Sequence, residues 1–239
     1  MFRISALILL SLILFTGCAT TSSQNGDPFE QRELLRNSED VLEGLFANKK
    51  DRFFRTLLPY AKAVVIFPEL VKAAFIAGGR YGDGVAAVRN PETGKWGPPA
   101  FIRSAQASGG LQAGIQKAEV VLLMMSNKSV KGLFKTKFDL GTGPEIALGP
   151  VGLSRGINLR DILNKKDIYA YTSLKGLFAG FSWKGNVVRP DAKANETFYG
   201  RPVSHGTILL NRGVKPPKAA LSFSKNMDKI APIPKKPKS

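Results

Sequence analysis

The residues best equipped for covalent chemistry lie in the C-terminal half of the chain. Gly152-Leu153-Ser154-Arg155-Gly156 matches G-x-S-x-G, and an acid (Asp161, Asp167 or Asp191) followed by His205 stands in the chain order of a serine-hydrolase triad. That chemistry needs the serine on a sharp strand-to-helix turn with an imidazole in hydrogen-bond reach. Pro150 interrupts the strand that would enter the turn, and the chain lacks the alternating βα units of a hydrolase sheet. Five-residue motifs also recur by chance, so a Ser154 hydrolase is the remote alternative. His205, the one histidine, reads as a surface or structural residue. One cysteine and one histidine exclude a disulfide framework and a His/Cys-rich metal site. The aspartates have no metal-ligand spacing. The glycine run 78–84 lacks the dinucleotide-binding spacing and reads as a turn or bulge. No metal, cofactor or catalytic residue is expected, and the chain reads as a non-enzyme.

The single cysteine carries a different chemistry. Met1-Phe2-Arg3 supplies one positive charge, and Ile4 to Phe15 is apolar apart from Ser5 and Ser11. Twelve helical residues reach about 18 Å, too short for a hydrocarbon core of about 30 Å. The pattern is that of a secretory signal peptide. Its end, Phe15-Thr16-Gly17-Cys18, resembles the bacterial lipobox with Phe15 where leucine is usual. The resemblance implies cleavage before Cys18 and lipidation of that cysteine; the alternative is a chance cysteine in an uncleaved anchor. Ala19 follows in place of aspartate, which by the rule for enteric-type lipoproteins directs the product to the outer membrane, facing the periplasm.

Charge is the second feature. The chain has 35 bases and 18 acids, a net +17. Residues 1–17 contain Arg3 and no acid, so the mature chain keeps 34 bases and 18 acids, or +16. Such a body seeks anionic surfaces. Lys49-Lys50-Asp51-Arg52-Phe53-Phe54-Arg55-Thr56-Leu57-Leu58 sets four bases around four large apolar residues. It reads either as a basic amphipathic turn lying on an anionic membrane, with Phe53 and Phe54 inserted, or as a short helix whose apolar residues join the core. Lys49, Lys50, Arg52, Arg55 and Lys62 are the candidate electrostatic contacts. Aromatics among bases also occur in nucleic-acid binders, but export to the envelope excludes that partner.

The elements that must position these residues follow from pattern. At 239 residues, 44% apolar and 22% charged, with mean hydropathy −0.06, the chain is globular and neither disordered nor a multi-span membrane protein. Residues 18–28 read as a flexible tether. Leu34, Leu35, Val41, Leu42, Leu45 and Phe46 recur at helical spacing after Asp27-Pro28, which predicts an amphipathic helix from Phe29 to Ala47. From Pro59 on, short apolar runs separated by glycine turns arrive every 8–15 residues. Strands are expected at Ala63–Phe67, Ala73–Ala77, Val85–Val88, Lys95–Ile102, Leu111–Gln116 and Glu119–Ser126, then a short helix over Asn127–Lys135. Two strand pairs follow: Lys137–Gly141 with Glu145–Leu148, and Asp167–Thr172 with Leu177–Gly185. The expected class is α+β: a mainly antiparallel, barrel-like sheet with an N-terminal amphipathic helix and short additional helices. Residues 213–239, rich in Pro and Lys, read as a mobile basic tail.

Several stretches in the middle of the chain carry a family resemblance. They are Ala61-Lys62-Ala63-Val64-Val65-Ile66, Ala74 to Gly84, Gly94-Lys95-Trp96-Gly97-Pro98-Pro99, Gly109 to Gly114, Ala147 to Gly152, Tyr169 to Gly180 and Phe198-Tyr199-Gly200. In this order, over residues 61–200, they resemble the SYLF domain, the Ysc84-type lipid-binding domain. The resemblance implies a non-enzymatic module, with the domain itself over 59–212 and a helical region over 29–58 ahead of it. Eukaryotic members bind phosphoinositides and some bind actin; bacterial members are often exported or lipidated. Relatives commonly carry an acid near the end of the strand after Gly176-Leu177-Phe178-Ala179-Gly180, whereas Lys184 stands here. The implied partner is an anionic phospholipid or lipopolysaccharide surface; the other reading is an envelope protein or peptidoglycan held by the basic tail. Mass spectrometry of the native product is expected to find a diacylglyceryl group on Cys18 as the first residue. A free Ala19 terminus would remove the lipid anchor, and an intact Met1 would point to the uncleaved anchor instead.

Overall fold

The computed structural model describes residues 28–48, 52–74, 77–109, 114–140, 143, 145–148, 166–176 and 185–233. Cys18, Lys49, Lys50, Ser154, Asp161 and the expected strand Leu177–Gly185 up to residue 184 lie outside them. Helix α1 spans Phe29–Ala47, as its apolar spacing predicts. Pro28 stands immediately before the helix, and its carbonyl accepts from the Arg32 amide at 2.9 Å. Leu35, Ser38 and Leu42 form the buried stripe. Helix α2 (Arg52–Leu57) and a 3₁₀ turn (Leu58–Tyr60) lead into the sheet.

The strands are β1 (Ala63–Ala74), β2 (Ala77–Val88), β3 (Ala100–Gly109), β4 (Gly114–Met124), β5 (Phe138–Asp139), β6 (Ile146–Leu148), β7 (Ile168–Gly176) and β8 (Val187–Pro190). They form one sheet in the order β5-β8-β3-β2-β1-β4-β7-β6, antiparallel except for β6 beside β7. The expected mainly antiparallel α+β fold is therefore present. Helix α3 (Asn127–Gly132) follows β4 and is capped by Ser126, whose hydroxyl accepts from the Ser129 amide. Helices α4 (Ala192–Tyr199), α5 (His205–Leu209) and α6 (Lys218–Ile230) close the described chain.

Four strand expectations change. From Gly114 on, the strands expected at Leu111–Gln116 and Glu119–Ser126 are one continuous strand, β4. Ala63–Phe67 continues through Ala74 as the single strand β1, because Pro68 starts a bulge instead of ending the strand; of the expected Ala73–Ala77, Ala73 and Ala74 belong to β1 and Ala77 opens β2. Between Ile66↔Val85 and Val71↔Tyr81, β1 carries one residue more than β2. Between Phe67↔Val120 and Leu70↔Ala118, it carries one more than β4. Proline has no N–H for a ladder, so the extra residue sits where the ladder is already broken. The strand expected at Lys95–Ile102 begins only at Ala100, with Trp96 held in an isolated bridge to Arg89. The short strands 138–139 and 146–148 do not pair with each other: β5 joins β8, and β6 joins β7.

The core occupies both faces of the central strands. Val64, Val65, Ile66 and Phe67 have no exposure. One face is covered by the N-terminal helices and α4: Phe54 of α2 meets Tyr171 edge-on at 5.0 Å, and Phe198 of α4 meets Phe101 at 4.9 Å. Helix α4 is fixed further by Asn195, whose amide accepts from the Phe101 N–H and donates to the Phe101 carbonyl. Tyr199 donates to the Pro99 carbonyl at 2.6 Å.

The glycine run 78–84, expected as a turn or bulge, lies inside the continuous strand β2, and the bulge in β1 opposite explains two of its glycines. A Cβ on Gly82 would lie under 3 Å from the Glu69 carbonyl oxygen, and one on Gly84 under 3 Å from that of Ile66. Both oppose backbone, which cannot yield locally. Gly84→Ala is expected to lower stability by about 1–3 kcal/mol through overpacking. Gly44→Ala, on an exposed turn of α1 with open space at the Cβ, is expected to gain about 0.5–1 kcal/mol. Urea melts of the two variants decide it; an unaffected Gly84→Ala would show that the bulge is not a tight register lock.

Candidate functional site

The basic segment ahead of the sheet is only partly on the surface. Arg52 and Lys62 are exposed, and Arg55 and Phe53 are half-buried. Phe54, Leu57 and Leu58 are fully buried. Arg55 donates to the Phe46 carbonyl at 3.4 Å, and Lys62 donates to the Asn127 side chain at 2.8 Å. The insertion of Phe54 into a membrane is thus corrected: its ring is spent on Tyr171, and burying such a side chain stabilises the fold by about 1.5–3 kcal/mol. Phe53 packs against the same core. Of the expected apolar pair, neither ring stands free of the domain.

The expected mobile tail is also corrected over residues 213–233. Helix α6 packs Ala220, Phe223 and Met227 into the core with 0–1% exposure. Arg89 of β2's C-terminal side holds its far end. The Arg89 guanidinium donates to the carbonyls of Ala61 (3.1 Å), Gly94 (2.7 Å) and Ala231 (2.9 Å) and lies 4.4 Å over the Trp96 ring. Burial pushes its pKa down to about 10, against the opposing pull of Asp228. Asp228 itself accepts from the Trp96 amide at 2.9 Å, and Ser224 donates to the Gly97 carbonyl at 2.9 Å. The one acid of the segment is turned inward, and the bases are left outside. Lys218, Leu221, Ser222, Lys225 and Lys229 are all exposed.

A second feature lies across α1. Leu34 and Val41 line a cleft of about 550 Å³ beside the Pro68 bulge, together with Asp40, Glu69, Asp83 and Glu119. Asp83 accepts from Arg103 and Tyr81, Arg103 also binds Asp191, and Glu69 pairs with Lys117 at 2.7 Å. Glu39 sits on the other flank of the buried α1 stripe and accepts from the Asn226 amide of α6 at 2.8 Å. Helix α1 therefore separates an acidic cleft from the basic helix α6.

The residues of the hydrolase alternative do not gather among the described positions. Asp167 accepts from the Glu145 amide and pairs with Lys128 at 3.4 Å. Asp191 caps α4 and binds Arg103. The half-buried His205 ring bonds to backbone at Phe134 and Leu133, and burial lowers its pKa. Among the described residues, no group of three or more His, Cys, Asp or Glu could hold a metal ion. No described helix is long and apolar enough to cross a membrane.

Comparison with known proteins fits this geometry. Residues 105–230 match the Ysc84 family model, described as "Las17-binding protein actin regulator". The chain belongs to the Ysc84 (SYLF) family. The matched range ends with helix α6, so the family pattern includes the segment that composition alone assigns to a tail. The human "SH3 domain-containing YSC84-like protein 1" is 30% identical over 162 residues, 66% of this chain and 46% of the relative. "Protein YSC84" of Saccharomyces cerevisiae is 32% identical over 166 residues, 68% of this chain and 35% of the relative. "LAS seventeen-binding protein 3" of the same yeast matches equally, so the Ysc84 region spans under half of each relative. No solved structure matches the chain.

The junction of α1 with α6 titrates. Burial raises the Glu39 pKa; the Asn226 hydrogen bond opposes this, while Glu43 and Asp40 add to it. A carboxyl with a raised folded-state pKa binds its proton first in the folded state, so stability rises as pH falls from neutral through that pKa. The rise is complete below the unfolded pKa of about 4.3. Glu39→Gln keeps an acceptor for Asn226 and removes the charge. The variant is expected to melt higher than the parent at neutral pH, with the gain shrinking toward zero near about pH 4. A gain that is constant with pH would show that the charge is not the cause.

Proposed function

We propose that this member of the Ysc84 family is a non-enzymatic lipoprotein of a bacterial envelope whose domain binds anionic lipid. Acylated Cys18 anchors it, in the outer membrane on the periplasmic side. The carrying observation is the pairing of the Phe15-Thr16-Gly17-Cys18 motif with a mature chain of net +16. An acyl chain alone gives weak, reversible attachment, and a basic surface beside it makes attachment stable. The C-terminal helix supports the reading: its one acid, Asp228, accepts from the Trp96 amide, while Lys218, Lys225 and Lys229 are exposed.

A second reading rests on the relatives. The family description and one yeast relative's name speak of Las17 binding, a protein contact, and the basic C-terminal segment would here meet an envelope protein or peptidoglycan. The two readings separate by vesicle co-sedimentation of residues 19–239. The core lies between Leu35 and Ala231, so this form keeps every core residue. Binding is expected to vesicles containing phosphatidylglycerol, to weaken as salt rises, and to be absent from phosphatidylcholine alone. Equal binding to both vesicles, or none to either, would overturn the lipid function.

A further inference from the structure

We infer that the outer face of helix α6 is the surface that docks on the anionic bilayer, in place of the basic segment ahead of the sheet. The inference rests on the lipid-binding reading and names the face that performs it. At 100° per residue, Lys218, Ser222, Lys225 and Lys229 fall within about 40° of one line along the helix. Ala220, Phe223 and Met227, which are buried, lie on the opposite side. Leu221, 46% exposed, flanks the basic line. The three lysines span about 17 Å, the length of eleven helical residues. Arg212 and Lys215 are exposed in the segment that leads into the helix. Among the described residues none of these five bases forms an ion pair, and Asp228 is committed to the Trp96 amide.

The face suits a bilayer better than the alternatives within the domain. The 52–58 segment has spent its apolar side chains on the core. The cleft beyond α1 presents no line of free cations: it is lined by acids, of which Glu69 and Asp83 are paired with Lys117 and Arg103. Helix α6 combines cations spaced along one line with an exposed leucine at their edge, and it is held rigidly by Phe223, Met227 and the Arg89 bond to Ala231. A pre-formed, fixed helix loses little freedom on docking. The occupant that fits is a flat anionic surface of phospholipid head groups, with Leu221 reaching their acyl boundary.

The test uses residues 19–239 and vesicles of phosphatidylcholine with and without phosphatidylglycerol. The variant Lys218→Glu/Lys225→Glu/Lys229→Glu replaces exposed side chains, and thermal melting checks that it folds as the parent does. Its affinity for phosphatidylglycerol vesicles is expected to fall at least tenfold, while Arg52→Glu/Lys62→Glu changes affinity much less. In Leu221→Trp, the added fluorescence is expected to shift to the blue on phosphatidylglycerol vesicles only. If the triple variant binds like the parent, or the new tryptophan stays in water while the protein binds, the α6 assignment falls and the lipid function survives on another face. If the parent itself binds no vesicle, both fall. If the triple variant loses binding to peptidoglycan sacculi while vesicle binding is unchanged, the face belongs to a wall contact and the assignment is overturned.

Discussion

The extra residue in the middle of β1 is the constraint on which the arrangement depends. It is counted against both neighbours, β2 and β4, so it cannot be absorbed at an edge. A bulge raises local twist and bends its strand. Here it sits at the centre of an eight-stranded sheet, and the sheet curls into a half-barrel around it. Pro68 makes the bulge cheap, because the missing N–H would have had no ladder partner. Gly82 and Gly84 make it possible, because only a residue without Cβ lets β2 follow β1 so closely. Leu34 and Val41 of α1 line the cleft over this point, so the local irregularity also creates the acidic hollow on that flank.

Arg89, just past β2, performs the complementary task beside the start of β1. A half-buried guanidinium is tolerated when its donors are met, and three carbonyls from three separate segments meet them. One of the three is Ala231, 142 residues away in sequence, so the bond fixes the C-terminus of α6 to the sheet. The turn at Gly94 contributes to the same junction. Its φ of +66° suits glycine, and a Cβ there would meet the Ile233 side chain. Asp228 neutralises part of the local charge while capping the Trp96 amide. The consequence is electrostatic as well as mechanical: the helix's one carboxylate is withdrawn to the inside, and its lysines remain on the outside.

What the sequence made legible follows the strength of its periodicities. Helix α1 has a clear apolar stripe and a proline start, and its span is read to the residue. The antiparallel class is legible from strand spacing and glycine turns. The continuity of β1 is not, since a proline inside an apolar run ends a strand far more often than it bulges one. Helix α4 is hidden in Ala192–Tyr199 because Asn195, one of its buried residues, is polar and is satisfied by the Phe101 backbone. Helix α6 is hidden by charge. Ala220, Phe223 and Met227 do recur at i, i+3 and i+7, but a cluster of lysines and prolines dominates the composition around them. The same blind spot affects the aromatic pair of the basic segment. Local sequence cannot tell an amphipathic turn that faces a membrane from one that faces its own core, and Phe54 and Leu57 face the core.

The proposed anchor and the proposed docking face need one another on physical grounds. Residues 18–28 can reach about 35–40 Å when extended, comparable to the domain itself. An acyl group at the end of such a tether sets how far the domain strays, not which side it presents. Orientation must come from an uneven surface, and this domain has one: acids line the hollow on one flank of α1, and α6 with its lysines packs on the other. Near an anionic plane that asymmetry acts as a torque, drawing the lysine line inward. Each base within a Debye length of the surface adds about 1 kcal/mol, so even three outweigh thermal tumbling several-fold. With α6 docked, the hollow on the other flank of α1 would face the aqueous side.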